Sequence, residues 1–165
     1  MDMTIHDFDM ARYIVGSDVL SVYAKGYNLI DPEIGKAGDI DTAVIVLNFE
    51  NSVTVTIENS RKAIYGYDQR LEVFGSKGMM KVENPLKNTS TYVDNQGSHL
   101  PRNLDFFMDR YATSYHLELE AFIRALQNNE PMPITGEDGL KAMEIAVAAS
   151  LSVKLNRPVG INEVI

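Results

Sequence analysis

Two runs dense in β-branched residues, TAVIVLNFE at 42–50 and VTVTIEN at 53–59, are separated only by Asn51 and Ser52. Runs of this kind favour extended chain, and so short a polar link makes the two strands antiparallel neighbours. A second pair repeats the pattern, with QRLEVFGS at 69–76 and GMMKVEN at 78–84 turning through Ser76-Lys77-Gly78. VLSVYAKGYNLI at 19–30 and STYVD at 90–94 add two more candidate strands. The middle of the chain therefore predicts an antiparallel meander.

Helical periodicity brackets these strands. Ile5, Phe8, Tyr13 and Ile14, with Met10, Ala11 and Val15, read as the apolar surface of an opening helix that stops at Gly16. DRYATSYHLELEAFIRALQNN at 109–129 repeats the pattern through Tyr111, Tyr115, Leu119, Phe122, Ile123 and Leu126, and the prolines of NEPMPI end it. From Thr135 to Asn156 a last helix is expected, with Thr135 as its cap, Glu137 and Asp138 at the positive end of its dipole, and Arg157-Pro158 as its stop. The predicted class is α+β: a largely antiparallel mixed sheet of about six strands with helices on one face. Val44, Val46, Val53 and Val55, set against Ile45, Leu47 and Ile57, make both sheet faces fairly apolar, so the open face is expected to mediate homo-oligomerisation.

Composition narrows the functional classes. The 165 residues are enough for one well-filled core, which makes a single domain the default. A net charge of −8 and an isoelectric point near 4.8 argue against nucleic acid as a partner, since phosphate binding needs clustered basic residues. No cysteine is present, which excludes disulfides, thiolate nucleophiles and cysteine-bound metals and fits a reducing compartment. With no apolar run long enough to span a bilayer and an acidic, amphipathic start, a cytoplasmic location is expected. GxSxG and GxGxxG are both absent, so neither a serine-hydrolase elbow nor a dinucleotide-binding turn is predicted.

The chemistry concentrates in MDMTIHDFDMARYIVG. On a helix, Asp2, His6 and Asp9 fall at i, i+4 and i+7, along one stripe. An imidazole there suits proton abstraction from a hydroxyl, one carboxylate can support the cation that forms, and another can bind a polyol hydroxyl. Two other readings stand beside this one: acids favoured by the dipole at a helix start, and a His-carboxylate metal site. In ENSRKAIYGYDQRLEVFGSKG, Tyr65 and Tyr67 flank Gly66 and offer hydroxyls to a sugar-sized ligand, or simply cover a sheet edge. His99 and His116 have no acid at a convincing local spacing and are read as structural or solvent-facing.

Three blocks together resemble a known family. The opening D-M-x-x-H-D-x-D-x-A-R-Y, the strand pair YGYDQRLEVFGSKGMMKVEN and the ending RYATSYHLELEAFIRALQNNEPMPITGEDGLKAMEIAVAAS resemble the C-terminal domain of the Gfo/Idh/MocA family of NAD(P)-dependent oxidoreductases. Within it, HDFDMARY, IYGYDQRLEVFGSKG and PITGEDGLKA look most like the inositol 2-dehydrogenase group. The resemblance implies a glyceraldehyde-3-phosphate dehydrogenase-like C-terminal domain that binds substrate, catalyses and oligomerises. It implies His6 as general base, Asp2 as its supporting acid, Asp9 as a polyol-binding acid, and Tyr65 as a substrate-pocket tyrosine, with Tyr67 the alternative. The family's N-terminal Rossmann domain and its E-K-P lysine are not in this sequence. The chain is accordingly expected to correspond to the C-terminal half of an enzyme that oxidises a polyol or sugar, such as myo-inositol, with NAD or NADP. Alone it is expected to be inactive and to hold no cofactor tightly. A related sugar or cyclitol dehydrogenase and a purely structural oligomerisation module are the alternatives.

Overall fold

In the computed structural model, which describes residues 2–164, the chain forms two compact units. One runs up to Lys62 and resumes at Ile134; the other is Ala63–Pro133.

The first unit opens with α1 (Thr4–Val15), closed by Gly16 in the left-handed region at φ 64°, where its N–H donates to the Arg12 carbonyl. Then come β1 (Val19–Tyr27), the short α2 (Pro32–Lys36), β2 (Thr42–Phe49) and β3 (Thr54–Ser60). The antiparallel meander of the sequence reading is present, with Tyr23 opposite Val46 and Ile45 opposite Ile57. Between β2 and β3 the turn places Ser52 at φ 70°, and the Phe49 N–H donates to the Val53 carbonyl.

Sheet alternation sorts the side chains. Val22, Ala24, Ala43, Ile45, Leu47, Phe49 and Ile57 are buried on one face. The last helix of the chain, α4 (Gly136–Leu155), lies over that face and presents Ala142, Ile145, Ala146, Ala148 and Ala149 to it. Small residues let the helix approach the sheet closely. Phe8 and Ala11 anchor α1 in the same core. At the start of α4 the Thr135 N–H and hydroxyl both donate to Asp138 Oδ2 at 2.9 Å, so Thr135 marks the helix start as expected.

The last element, β8 (Val159–Gly160), pairs with Ser21 and Val22 of β1 and gives the main sheet its order β3-β2-β1-β8. Beyond Val22 the edge of β1 has no strand beside it. There the hydroxyl of Ser152, itself fully buried, accepts the Ala24 N–H at 2.9 Å and donates to the Arg157 carbonyl at 2.6 Å.

The second unit holds two hairpins and a helix: β4 (Leu71–Gly75) with β5 (Gly78–Val82), β6 (Tyr92–Asp94) with β7 (Gly97–His99), and α3 (Phe107–Asn128). All six expected strands form, but not as one sheet. Four strands make the main sheet, the other four make two separate hairpins, and every pairing among the described residues is antiparallel. A tight turn dictates only which sequential strands pair; it carries no information on whether a hairpin joins a larger sheet.

Three details of the sequence reading are corrected. Val55 pairs with Leu47 and packs with Ile57 against the core, while Val53 precedes β3. The uncovered face therefore carries Tyr23, Val44, Val46, Thr56 and Glu58, and is less apolar than the sequence suggests. On α1, Met10 and Tyr13 lie exposed rather than with Phe8, because at about 100° per residue they turn to the side of His6 and Asp9.

Asp41 ties the β1–β2 connection together. Its carboxylate, in a residue only 3% exposed, accepts the N–H groups of Leu29, Ile30 and Asp31 and the Thr42 hydroxyl, all at 2.9–3.0 Å. Burial pushes this carboxyl up, but those donors outweigh it and hold it at about 2, below the ordinary 3.8. A folded-state value below the unfolded one stabilises the fold fully above about pH 4, and that contribution is lost as pH falls through about 2. Asp41→Asn is expected to be less stable at neutral pH and to lose part of the stability drop between pH 4 and 2. Urea midpoints measured across that range test this; Asp68 and Glu163, also held at about 2, keep the remainder.

Candidate active site

At the start of α1 the residues that the spacing grouped stand in different local settings. His6 lies in the first turn of the helix, with its N–H donating to the Met3 carbonyl at 3.2 Å. Its ring is exposed and has no hydrogen-bond partner among the described residues. Asp9 follows at i+3 on the same side of the helix, half-buried. Asp2 stands in the turn before α1 rather than within it, and its Oδ1 accepts from Arg61 Nη2 at 2.5 Å. That hydrogen bond is the main cause holding the Asp2 carboxyl below its usual range.

Asp7, read in the sequence only as a helix-start acid, points to the sheet. Its Oδ2 accepts from Asn59 Nδ2 at 2.9 Å, while Asn59 Oδ1 is buried without a partner. Neither Asn59 nor Arg61 carried a role in the sequence reading. Their signal was present, because residues 59 and 61 continue the alternation that puts Val55 and Ile57 on the helix-covered face. The far end of α1 is fixed differently: Arg12 donates to Asp18 Oδ1 at 2.9 and 3.1 Å and lies 3.7 Å from Asp138.

The tyrosine loop belongs to the second unit. Tyr65 is half exposed, and its hydroxyl donates to Asp68 Oδ2. Asp68 also takes Arg70 Nε and Nη2 at 2.8 and 2.9 Å and Asn84 Nδ2. Burial pushes Asp68 up, yet these donors hold it at about 2, and the hydrogen bond that Tyr65 gives it in turn raises Tyr65 above the usual phenol value. With its proton committed to Asp68, the Tyr65 oxygen is left to accept from a ligand hydroxyl. Tyr67, the alternative, packs edge-on against Tyr111 at 6.1 Å and donates to Gln69 Oε1 at 3.2 Å. Between them Gly66, at φ 118°, lies so close to Asn103 and Leu104 that a Cβ would stand 2.9 Å from their atoms. The loop shape thus requires glycine.

His99 pairs with Asp94 at 3.1 Å across the β6–β7 hairpin and His116 with Glu120 at 3.1 Å along α3. Both thus have an acid at local spacing, contrary to the sequence reading, and both rings are solvent-exposed. Among the described residues no group of three His, Asp or Glu side chains is placed to hold a metal ion, and no helix is long and apolar enough to cross a membrane. Nor does any described strand lead through a glycine-rich turn into a helix.

What the site does offer is a free imidazole and carboxylates on a helix anchored to a sheet. Residues 1–161 match the model of the oxidoreductase family, C-terminal alpha/beta domain, known as Gfo/Idh/MocA. The chain belongs to this family. It is 51% identical over its whole length to a protein of Thermotoga maritima named myo-inositol 2-dehydrogenase, of which it covers 49%. A crystal structure described as a probable dehydrogenase from Thermotoga maritima superposes with a TM-score of 0.97 at 51% identity, over all of this chain and 50% of that one. Another, scyllo-inositol dehydrogenase from Lactobacillus casei with bound NAD(H) and scyllo-inositol, superposes with a TM-score of 0.89 at 31% identity, over 98% of this chain and 48% of that one. The chain spans about half the length of the curated relatives it matches.

Replacing Asp68 removes the acceptor that raises Tyr65. In Asp68→Asn, Tyr65 is expected to titrate closer to the ordinary tyrosine range, read by ultraviolet difference titration against Tyr65→Phe. A Tyr65 titration that stays in place would show that Asp68 does not hold its proton.

Proposed function

We propose that this domain is the substrate side of an NAD-dependent dehydrogenase that oxidises one secondary hydroxyl of an inositol, with His6 as general base. The observation that carries the reading is the exposed, unpaired ring of His6 beside Asp9 on α1, in a chain similar throughout to enzymes named for inositol. The Thermotoga relative is named for myo-inositol and the Lactobacillus structure for scyllo-inositol. These differ in the orientation of a ring hydroxyl, so the similarity supports the cyclic polyol as a class.

The unprotonated imidazole takes the proton of the reacting hydroxyl while the carbon loses hydride and the C–O bond becomes a carbonyl. NAD, when bound, supplies the acceptor for that hydride. Its cradle is not among the described elements, so the 165-residue polypeptide by itself is proposed to be inactive. Asp9 accepts from a neighbouring ring hydroxyl. Asp2 supplies negative charge that supports the imidazolium, and Tyr65 is proposed as a further substrate ligand through its acceptor oxygen. In an enzyme containing this domain, His6→Ala is expected to lower kcat for inositol oxidation by about 10²- to 10⁴-fold, the ordinary worth of a positioned base. Steady-state kinetics at saturating cofactor test this, and unchanged turnover would remove His6 from the role.

The lack of cysteine supports a reducing, cytoplasmic setting. We also propose that the uncovered sheet face, with Tyr23, Val44, Val46 and Thr56 at its centre, joins copies of the enzyme. Val44 is 47% exposed there. Sedimentation velocity at micromolar concentration is expected to give a dimer or larger species, and Val44→Lys to shift it toward monomer. A clean monomer would overturn this assembly.

A further inference from the structure

We propose that Arg61, at the end of β3, is a positioning residue for proton transfer: it ties Asp2 to the sheet and tempers the negative charge that Asp2 presents to the base. The proposal rests on the reading of His6 as that base.

Two contacts join α1 to the end of β3. Arg61 Nη2 donates to Asp2 Oδ1 at 2.5 Å, and Asn59 Nδ2 donates to Asp7 Oδ2 at 2.9 Å. Their donors are alternate residues, Asn59 within β3 and Arg61 just past its end, so both continue the alternation of the face that the helices cover. Their acceptors bracket His6 in sequence. A helix held at both sides of its first turn cannot roll or fray there without breaking one contact, and His6 is carried by that turn.

Arg61 is itself held. Its backbone N–H donates to the Asp41 carbonyl at 2.9 Å, and the Asp41 carboxylate gathers Leu29, Ile30, Asp31 and Thr42. The backbone that carries the guanidinium is thus tied to a segment organised by one buried carboxylate. Its side chain is only 33% exposed, against 68% for Asp2, so the better-anchored partner is the arginine.

The charges around His6 are few enough to assign a sign. On its own helix and the preceding turn stand Asp2, Asp7 and Asp9; from β3 and the residue after it come Asn59 and Arg61. The other element packed on α1 is α4, whose residues near Thr4 and Phe8 are Ala146, Ala149, Ser150 and Val153, all uncharged. Its charged residues Asp138, Lys141 and Glu144 gather with Arg12 and Asp18 at the other end of α1, while Glu137 in its first turn and Lys154 in its last are exposed. Among the described side chains, Arg61 is thus a cation set directly against the Asp2 carboxylate. Without it, the Asp2 charge is offset less and favours the protonated form of the imidazole more. A base that holds its proton more tightly is available only at higher pH.

The test is the pH profile of kcat/KM for inositol oxidation in the full-length enzyme. Arg61→Met, which keeps the aliphatic stem, and Arg61→Gln, which keeps a hydrogen-bond donor, are each expected to move the acidic limb up by about half a pH unit, as for one screened charge several ångströms away. Arg61→Lys is expected to restore the limb to its original position. In an Asp2→Asn background neither Arg61 substitution is expected to move it. A limb that stays put in Arg61→Met or Arg61→Gln, or that moves equally without the Asp2 carboxylate, overturns the proposal. If the methionine variant does not fold, the glutamine and lysine variants decide the matter. His6→Ala separates the two readings: unchanged turnover there removes the base itself, whereas a large loss there with an immobile limb in the Arg61 variants rejects only the role of Arg61.

Discussion

The hydroxyl of Ser152 stands where the last helix meets the edge of the sheet. β8 covers β1 only at Ser21 and Val22, so the Ala24 N–H has no strand partner on that side. Left unsatisfied in a buried place, such a group costs about 1–3 kcal/mol. Ser152 accepts it and passes its own proton to the Arg157 carbonyl, closing two backbone groups with one side chain. The contact does more than satisfy donors. It fixes how far along β1 the helix lies, and with that the places where Ala142, Ile145, Ala146 and Ala149 meet the strands. Because α1 packs on α4 through Phe8 and Ala11, the register set at Ser152 reaches the helix that carries His6.

Pairing strength was legible in the sequence where the signal was local. β-branched runs separated by two or three polar residues defined β2 with β3 and β4 with β5, and the prolines and Gly16 marked the helix ends. The missed elements are those whose stability comes from elsewhere. β8 is two residues long and exists because the edge of β1 needs a partner. α2 lies past the first expected strand, which ended at Ile30, and was given no element, although Asp31-Pro32-Glu33 carries a helix-start signature, with the Asp31 carboxylate accepting the Glu33 N–H at 2.9 Å. The division into two units was equally hidden, since alternation says which face a side chain takes and nothing about which strand lies beside it.

For the site, local spacing placed His6 and Asp9 on one side of α1, whereas Asp2 stands in the turn before the helix. An i, i+4 relation brings side chains together only if both residues are helical, and α1 begins at Thr4. What a periodicity argument cannot supply is a partner 52 or 59 residues away. Asn59 and Arg61 reach α1 only because the β2–β3 turn and the register of β3 deliver its end to the start of the helix. Tyr65 shows the same limit. Its position beside a glycine was readable, but the commitment of its proton depends on Asp68, which Arg70 and Asn84 hold in place.

The polar residues of α1 and the turn before it separate by partner, and the separation bears on how its acids should be understood. A dipole favours negative charge near a helix start without asking for any particular partner. Here Asp2 and Asp7 have specific donors from one strand, and Arg12 at the other end is matched to Asp18 and Asp138. These contacts fix the helix along its length. His6 and Asp9 take no part in them, yet they share the exposed side with Met10 and Tyr13, the latter 82% exposed. A surface helix built only for stability has no need to spend two acids on anchoring while leaving an imidazole, a carboxylate and two large apolar side chains uncovered. The same arrangement serves a helix that must present a base and a hydroxyl acceptor in fixed places against another surface, with its remaining charges already occupied.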